Sequence, residues 1–179
     1  MHTNSMLGFQ EHIIPRFIRG MVGLEMVGMG KHSSTRRIAE QYGVTYLACA
    51  PTNCPRFVVK MIDEYRIDCP DNVFEVIWST NVLEHIREPW RWFPEQARVC
   101  QPGGFVAVSS PISWEEHNPK DTSDAWRVLP DGIRTLFAIA GLETELAVIV
   151  EYGQDTEVEK KANRGLGSID LIAVGRKPR

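Results

Sequence analysis

The sequence predicts an α/β fold with a mostly parallel seven-stranded sheet, and three observations lead there. Seven short apolar runs, at 21–27, 44–49, 57–62, 73–78, 105–108, 146–150 and 169–174, have the length of strands. Amphipathic stretches with their own start and stop residues separate several of them. Strand, helix and strand in succession then force parallel pairing, because the chain needs a crossover to return to the same end of the sheet.

After the first run come Gly28 and Gly30, then Ser33-Ser34-Thr35, which can cap a helix running to Gln41 with Gly43 at its stop. The third run also reads as a helix opened by Pro55. We prefer a strand, because Phe57-Val58-Val59 is aromatic and β-branched and Cys69-Pro70-Asp71-Asn72 then becomes the turn before strand four. On that reading the second crossover helix is reduced or missing, leaving a short loop at 51–55. A second helix spans 89–99, opened by Pro89 and ended before Gln101-Pro102-Gly103-Gly104, a turn no helix continues through. A third runs over 130–140, with Pro130 in its first turn and Gly141 as its stop. Only the polar segment 151–168 joins the last two runs, so the last strand is expected antiparallel.

A chain of 179 residues suits one domain, 1–179, with 1–20 as an N-terminal lead and 111–124 and 151–168 as mobile loops. A net charge of −3 offers no bulk attraction for nucleic acid or an anionic membrane. Cys49, Cys54, Cys69 and Cys100 form no C-x-x-C pair and read as reduced thiols without zinc. No apolar run approaches the roughly 20 residues that span a bilayer, and the N-terminus lacks a secretory pattern. A cytoplasmic enzyme or binding protein is expected.

Ligands of open parallel sheets sit beyond the carboxyl ends of the strands, so the segments after each run carry the search. In Leu24-Glu25-Met26-Val27-Gly28-Met29-Gly30, the glycines let backbone approach a ligand, though tight strand-to-helix turns use glycine for steric reasons alone. The decisive stretch is F-E-V-I-W-S-T-N-V-L-E-H-I at 74–86, followed by E-Q-A-R-V-C-Q-P-G-G at 95–104. It closely resembles the class I S-adenosylmethionine-dependent methyltransferases. The resemblance extends through Pro111 and Trp114-Glu115-Glu116-His117 to Asp124-Ala125-Trp126-Arg127, covering about 21–150.

The resemblance implies a Rossmann-like doubly wound sheet, S-adenosylmethionine as cofactor and S-adenosylhomocysteine as product. The cofactor-binding positions it carries over are Glu25, Gly28, Met29 and Gly30 in the first motif, Asp63 and Glu64 after strand three, and Thr80 and Asn81 after strand four. Asp63 would accept a hydrogen bond from the adenine amino group, since a carboxylate only accepts and that amine only donates. The chain departs from the family in three places. Glu25 lies three residues before Gly28 and His32 takes the third glycine position; Ala50 stands where a carboxylate grips the ribose hydroxyls; and Asn81 replaces the first carboxylate of an E-x-x-E-H cation group found in some quinone-pathway members, so no metal is carried over.

Methyl transfer from a sulfonium needs alignment above all, plus a base only where the attacking atom must lose a proton. His117 is the candidate general base; alternatively it orders a loop together with Asp124 and Arg127. Trp114 and Trp126 either wall an acceptor pocket or pack that loop. The expected function is methyl transfer to an unidentified small-molecule acceptor. The rival is a catalytically inactive methyltransferase-like binding or scaffold protein that has lost the cofactor, favoured by Ala50 and the shifted glycines; a nicotinamide-dependent oxidoreductase fits less well. The acceptor would be recognised by 1–20, 111–124 and 151–168, or across a homodimer.

Overall fold

The structure is a computed structural model that describes residues 3–26, 34–50, 59–117, 123–153, 155–163 and 167–179. Its strands are β1 (Val22–Met26), β2 (Thr45–Ala50), β3 (Val59–Lys60), β4 (Phe74–Thr80), β5 (Cys100–Ser113), β6 (Glu143–Val150) and β7 (Ile169–Arg176). They form one sheet in the order β3-β2-β1-β4-β5-β7-β6. β3 pairs parallel with β2, β2 with β1, β1 with β4 and β4 with β5, as the crossover pattern demands. β7 runs antiparallel between β5 and β6, bearing out the expected antiparallel last strand.

The expected helices form as α2 (Ser34–Gln41), α3 (Pro89–Val99) and α4 (Pro130–Ile139), the last two with proline in the first turn. Strand alternation sorts the core into two layers. Leu24, Ile77, Val106 and Leu171 meet Phe93, Ile133 and Phe137 under α3 and α4. On the other face, Val76, Trp78, Phe105 and Ile172 meet Phe9, Ile13 and Phe17. Each such fully buried side chain stabilises by about 1.5–3 kcal/mol.

Three expectations are corrected. The N-terminal lead is part of the core: α1 (Thr3–Gly8) continues into a π-turn at Phe9–Ile13 and a 3-10 turn at Ile14–Arg16, which carry Phe9, Ile13 and Ile14 into the second layer. Segment 151–168 is not all loop, because α5 (Glu157–Ala162) forms within it, capped by Thr156 and Glu159 in a reciprocal capping box. β5 extends well beyond 105–108, reaching Ser113, and the Gln101–Gly104 turn lies inside the strand as an irregularity in its pairing with β4. The shortened second crossover falls on 51–58, eight residues outside the described ones. That length is below the dozen or so a helical crossover takes.

Candidate active site

The carboxyl ends of β4 and β5 lie side by side, with Ser79 opposite Val108 and Thr80 opposite Ser109. There the chain leaves β4 through Asn81, which holds a left-handed φ of 52° and donates its N–H to the Ser109 carbonyl at 2.9 Å. Asparagine tolerates this region better than most residues, and such backbone gathers where a side chain must be aimed. Three polar atoms at this rim are buried and find no hydrogen-bond partner among the described residues: Ser79 Oγ, Asn81 Oδ1 and Ser109 Oγ. Ser79 falls on the Ile77 face of the sheet and Ser109 on the Phe105 face; an unpaired buried polar atom costs on the order of 1–3 kcal/mol, so each calls for a partner beyond the described residues.

A second cluster adjoins it. After Asn81 the chain makes a 3-10 turn, Leu83–His85, and the segment after β5 folds back onto that turn. Ala125 N–H donates to the Glu84 carbonyl at 2.7 Å, Trp126 Nε1 to the Ile86 carbonyl at 2.8 Å, and Ser123 Oγ to the His85 carbonyl at 3.3 Å. This zipping brings His117 against His85, ring centroids 5.0 Å apart and nearly perpendicular. Asp124, whose side chain is buried, holds Arg127 through both oxygens, at 2.6 and 2.8 Å, and accepts the His117 backbone N–H at 3.0 Å. Burial alone would raise the Asp124 pKa; the Arg127 guanidinium and the His117 N–H outweigh it and hold the carboxyl below its usual range.

Both imidazole tautomers follow from their neighbours. His85 Nδ1 faces the Ser123 carbonyl at 2.6 Å, and His117 Nδ1 faces the Glu115 carbonyl at 3.2 Å and Asp124 Oδ2 at 3.3 Å. All three neighbours accept only, so each Nδ1 carries a proton, and in the neutral imidazole it is Nε2 that keeps the lone pair. Glu84 is fully buried beside them; Ser110 Oγ donates to its Oε2 at 3.3 Å, while Oε1 has no hydrogen-bond partner among the described residues. Burial pushes the Glu84 carboxyl up to about 7.

The fold agrees with comparisons to known proteins. The family model described as a methyltransferase domain matches residues 26–108. Over 108 residues the chain is 31% identical to the 27-O-demethylrifamycin SV methyltransferase of Amycolatopsis mediterranei, covering 57% of this chain and 37% of the relative. The 2-methyl-6-phytyl-1,4-hydroquinone methyltransferase of Synechocystis is 27% identical over 124 residues, 56% of this chain and 38% of its own. Residues 26–108 thus match a methyltransferase domain, and the chain is similar to S-adenosylmethionine-dependent methyltransferases. It spans under two fifths of the length of either relative. Among solved structures, phosphoethanolamine N-methyltransferase 2 of Haemonchus contortus, in complex with S-adenosyl-L-methionine, shares the fold at a TM-score of 0.65 and 13% identity, covering 98% of this chain and 52% of that one.

The expected cofactor positions are distributed as follows. Gly28, Met29 and Gly30 lie outside the described residues, in the 27–33 connection from β1 to α2. Glu25 is buried in β1, and its two oxygens accept from the Thr35 and Tyr46 hydroxyls. Asp63 and Glu64 sit exposed in the bend after β3, and Asp63 Oδ1 accepts the N–H groups of Tyr65 and Arg66 at 2.8 and 2.9 Å. Thr80 and Asn81 close β4, at the rim with the unpaired atoms. Trp126 packs on the core and meets Trp90 edge-on at 6.0 Å. The reading of the residues passed over Ser109 and Ser110, and took Glu84 and His85 as residues that satisfy backbone at a helix start. The signal for them was that Glu84-His85 and His117 follow neighbouring strands, whose adjacency the sequence pattern alone does not give.

Proposed function

We propose that this chain transfers a methyl group from S-adenosylmethionine to a small-molecule acceptor in the cytoplasm. The observation that carries the reading is that Ser79 Oγ, Asn81 Oδ1 and Ser109 Oγ, at the carboxyl ends of β4 and β5, are buried with no hydrogen-bond partner among the described residues, so that polar groups await a partner on both faces of this rim. Their hydroxyl and amide chemistry suits the polar end of an amino-acid and nucleoside cofactor. When bound, the cofactor supplies a methyl on a cationic sulfur, ready for in-line attack. The chain's own part is to hold and align: Gly28, Met29 and Gly30 allow close backbone approach, Thr80 and Asn81 line the rim, and the Oδ2 of Asp63, with Glu64 beside it, accepts from the adenine amine. Glu25 stands behind this layer and anchors α2 through Thr35.

His117 acts as the base. Its Nδ1 proton is held by Asp124 and the Glu115 carbonyl, which leaves Nε2 to take a proton from the acceptor atom as it attacks. The side chain is 37% exposed, so an acceptor can reach it. With net charge −3, neither nucleic acid nor membrane is a partner; no helix of the described residues is long and apolar enough to cross a bilayer. A second copy of the chain, in a homodimer, is the other source of acceptor contacts.

Thermal unfolding with S-adenosylmethionine, S-adenosylhomocysteine and NAD tests the reading. The first two should stabilise by about 2.7 kcal/mol at a hundredfold excess over Kd, roughly 5–10 °C for a chain of this size; NAD should not. No saturable effect at millimolar cofactor would favour the inactive scaffold instead. Asp63→Ala should weaken cofactor affinity roughly ten- to a hundredfold by removing a charge-assisted hydrogen bond. His117→Ala should lower kcat while cofactor affinity holds, and unchanged turnover would reduce His117 to an organiser of its loop.

A further inference from the structure

We propose that Glu84, His85 and His117 form a binding site for one divalent transition-metal ion, with zinc(II) or cobalt(II) as its natural probes. Their candidate ligand atoms, one from each side chain, all lie within 4.8 Å of one another. Zinc ligands at about 2.0–2.2 Å stand roughly 3–3.5 Å apart, so small rotations of the side chains close the set.

Three further features distinguish this group from a chance meeting of polar side chains. Both imidazoles are already anchored through Nδ1, His85 on the Ser123 carbonyl and His117 on the Glu115 carbonyl and Asp124, so both present the Nε2 lone pair a metal requires. That is the outer-shell arrangement that orients ligating histidines. Glu84 has a side chain only 1% exposed and an oxygen, Oε1, with no hydrogen-bond partner among the described residues, 3.9 Å from His85 Nε2. Its other oxygen is fixed by Ser110 Oγ. Two neutral imidazoles and one carboxylate form a borderline donor set, which favours zinc, cobalt or ferrous iron over magnesium or calcium, whose sites are built from oxygen. Three protein ligands also leave a coordination position open, the arrangement of reactive rather than purely structural zinc sites. The third ligand arrives from the segment after β5, so the site survives the asparagine at position 81.

This inference stands apart from the methyl-transfer reading and excludes one part of it, because an Nε2 lone pair held by a metal cannot also serve His117 as a base; its test uses no cofactor. Full-length protein freed of metal by chelator dialysis is titrated with cobalt(II), then with zinc(II) and magnesium(II) by calorimetry. The expected result is one cobalt(II) per chain with the visible absorption of a four- or five-coordinate ion, displacement by zinc(II), and no saturable magnesium(II) binding. His117→Ala and Glu84→Gln should each weaken binding by more than the ten- to hundredfold that loss of an outer-shell partner costs. Imidazole nitrogen NMR of the unaltered chain provides a reading that no variant's folding can obscure: two histidines should shift on zinc(II) addition. Absence of saturable cobalt(II) or zinc(II) binding, thiolate-to-cobalt absorption that places the ion on cysteine, or unshifted histidine signals would each overturn the site.

Discussion

Gly104 has no room for a side chain. A Cβ there would stand 2.7 Å from the Glu75 carbonyl oxygen, 2.9 Å from Cys100 Sγ and 2.9 Å from the Gln101 carbonyl oxygen, and two of these are backbone atoms that cannot swing away. The preceding Gly103 adopts φ 80°, where other side chains are strained. The Pro-Gly-Gly of the family motif is therefore a demand of the irregular start of β5 and says nothing by itself about catalysis. Gly104→Ala should lower stability by about 1–3 kcal/mol, measured as a shift in the urea midpoint with an unchanged slope. A single methyl group suffices because the obstacle is backbone. Cysteine chemistry is decided at the same scale. Burial pushes the Cys49 and Cys100 thiols up to about 12, so both are protonated at pH 8 and are not nucleophiles. In the folded protein a short iodoacetamide pulse at pH 8 should leave both unmodified by peptide mapping, and full labelling should appear only in denaturant.

At the scale of elements, α5 shows how a six-residue helix persists. Thr156 caps it, and the Glu159 carboxylate returns to the Thr156 N–H at 2.7 Å while also accepting from the backbone and hydroxyl of Thr3. One side chain thus closes the helix and ties α1 to it. Burial works against the Glu159 charge, but the bonds from Thr156 and Thr3 dominate and lower its pKa to about 2. A pKa depressed in the folded state stabilises above the unfolded value of 4.5 and is lost as pH falls from there toward 2. Glu159→Gln should therefore destabilise at neutral pH, by roughly 1 kcal/mol or less because the group is partly solvated. The gap from the unaltered chain should narrow between pH 4.5 and pH 2.5 in chemical denaturation; a gap constant with pH would mean the carboxylate charge contributes nothing.

Across the whole molecule, the last strand to be made is an interior one. β7 pairs with β5 on one side and β6 on the other, and Asp170 through Gly175 are buried or nearly so along it. Without it, β5 loses a partner and both core layers lose a wall, through Leu171 and Ala173 on one face and Ile172 and Val174 on the other. A chain ending at residue 168 should consequently show no cooperative thermal transition and lose its near-ultraviolet circular dichroism. Retention of a sharp transition would show that the first five strands hold themselves.

How much of this was legible depended on the range of the interaction that decides each feature. The seven apolar runs, the proline-opened α3 and α4 and the antiparallel ending were readable, because local propensity and crossover length act within a few residues. The N-terminal segment was misjudged as a lead although Phe9, Ile13 and Phe17 recur at a helical spacing of four; what buries them is a sheet face made of Trp78 and Phe105, distant in sequence. α5 was missed because four of its six residues are charged and it is short, and part of what anchors it is Thr3, far away in the chain. Motifs marked Asn81, Glu84, His85 and His117 one at a time.

The sequence by itself determined the class of fold and the family resemblance, since these follow from patterns only a few residues long. The tertiary structure alone decided that Glu84, His85 and His117 converge, that Glu25 bonds inward and that three polar atoms at the ends of β4 and β5 lack a partner among the described residues. Each of those depends on which strands become neighbours and how the segment after β5 folds back. Such juxtapositions are set by packing the whole sheet, and no local spacing encodes them.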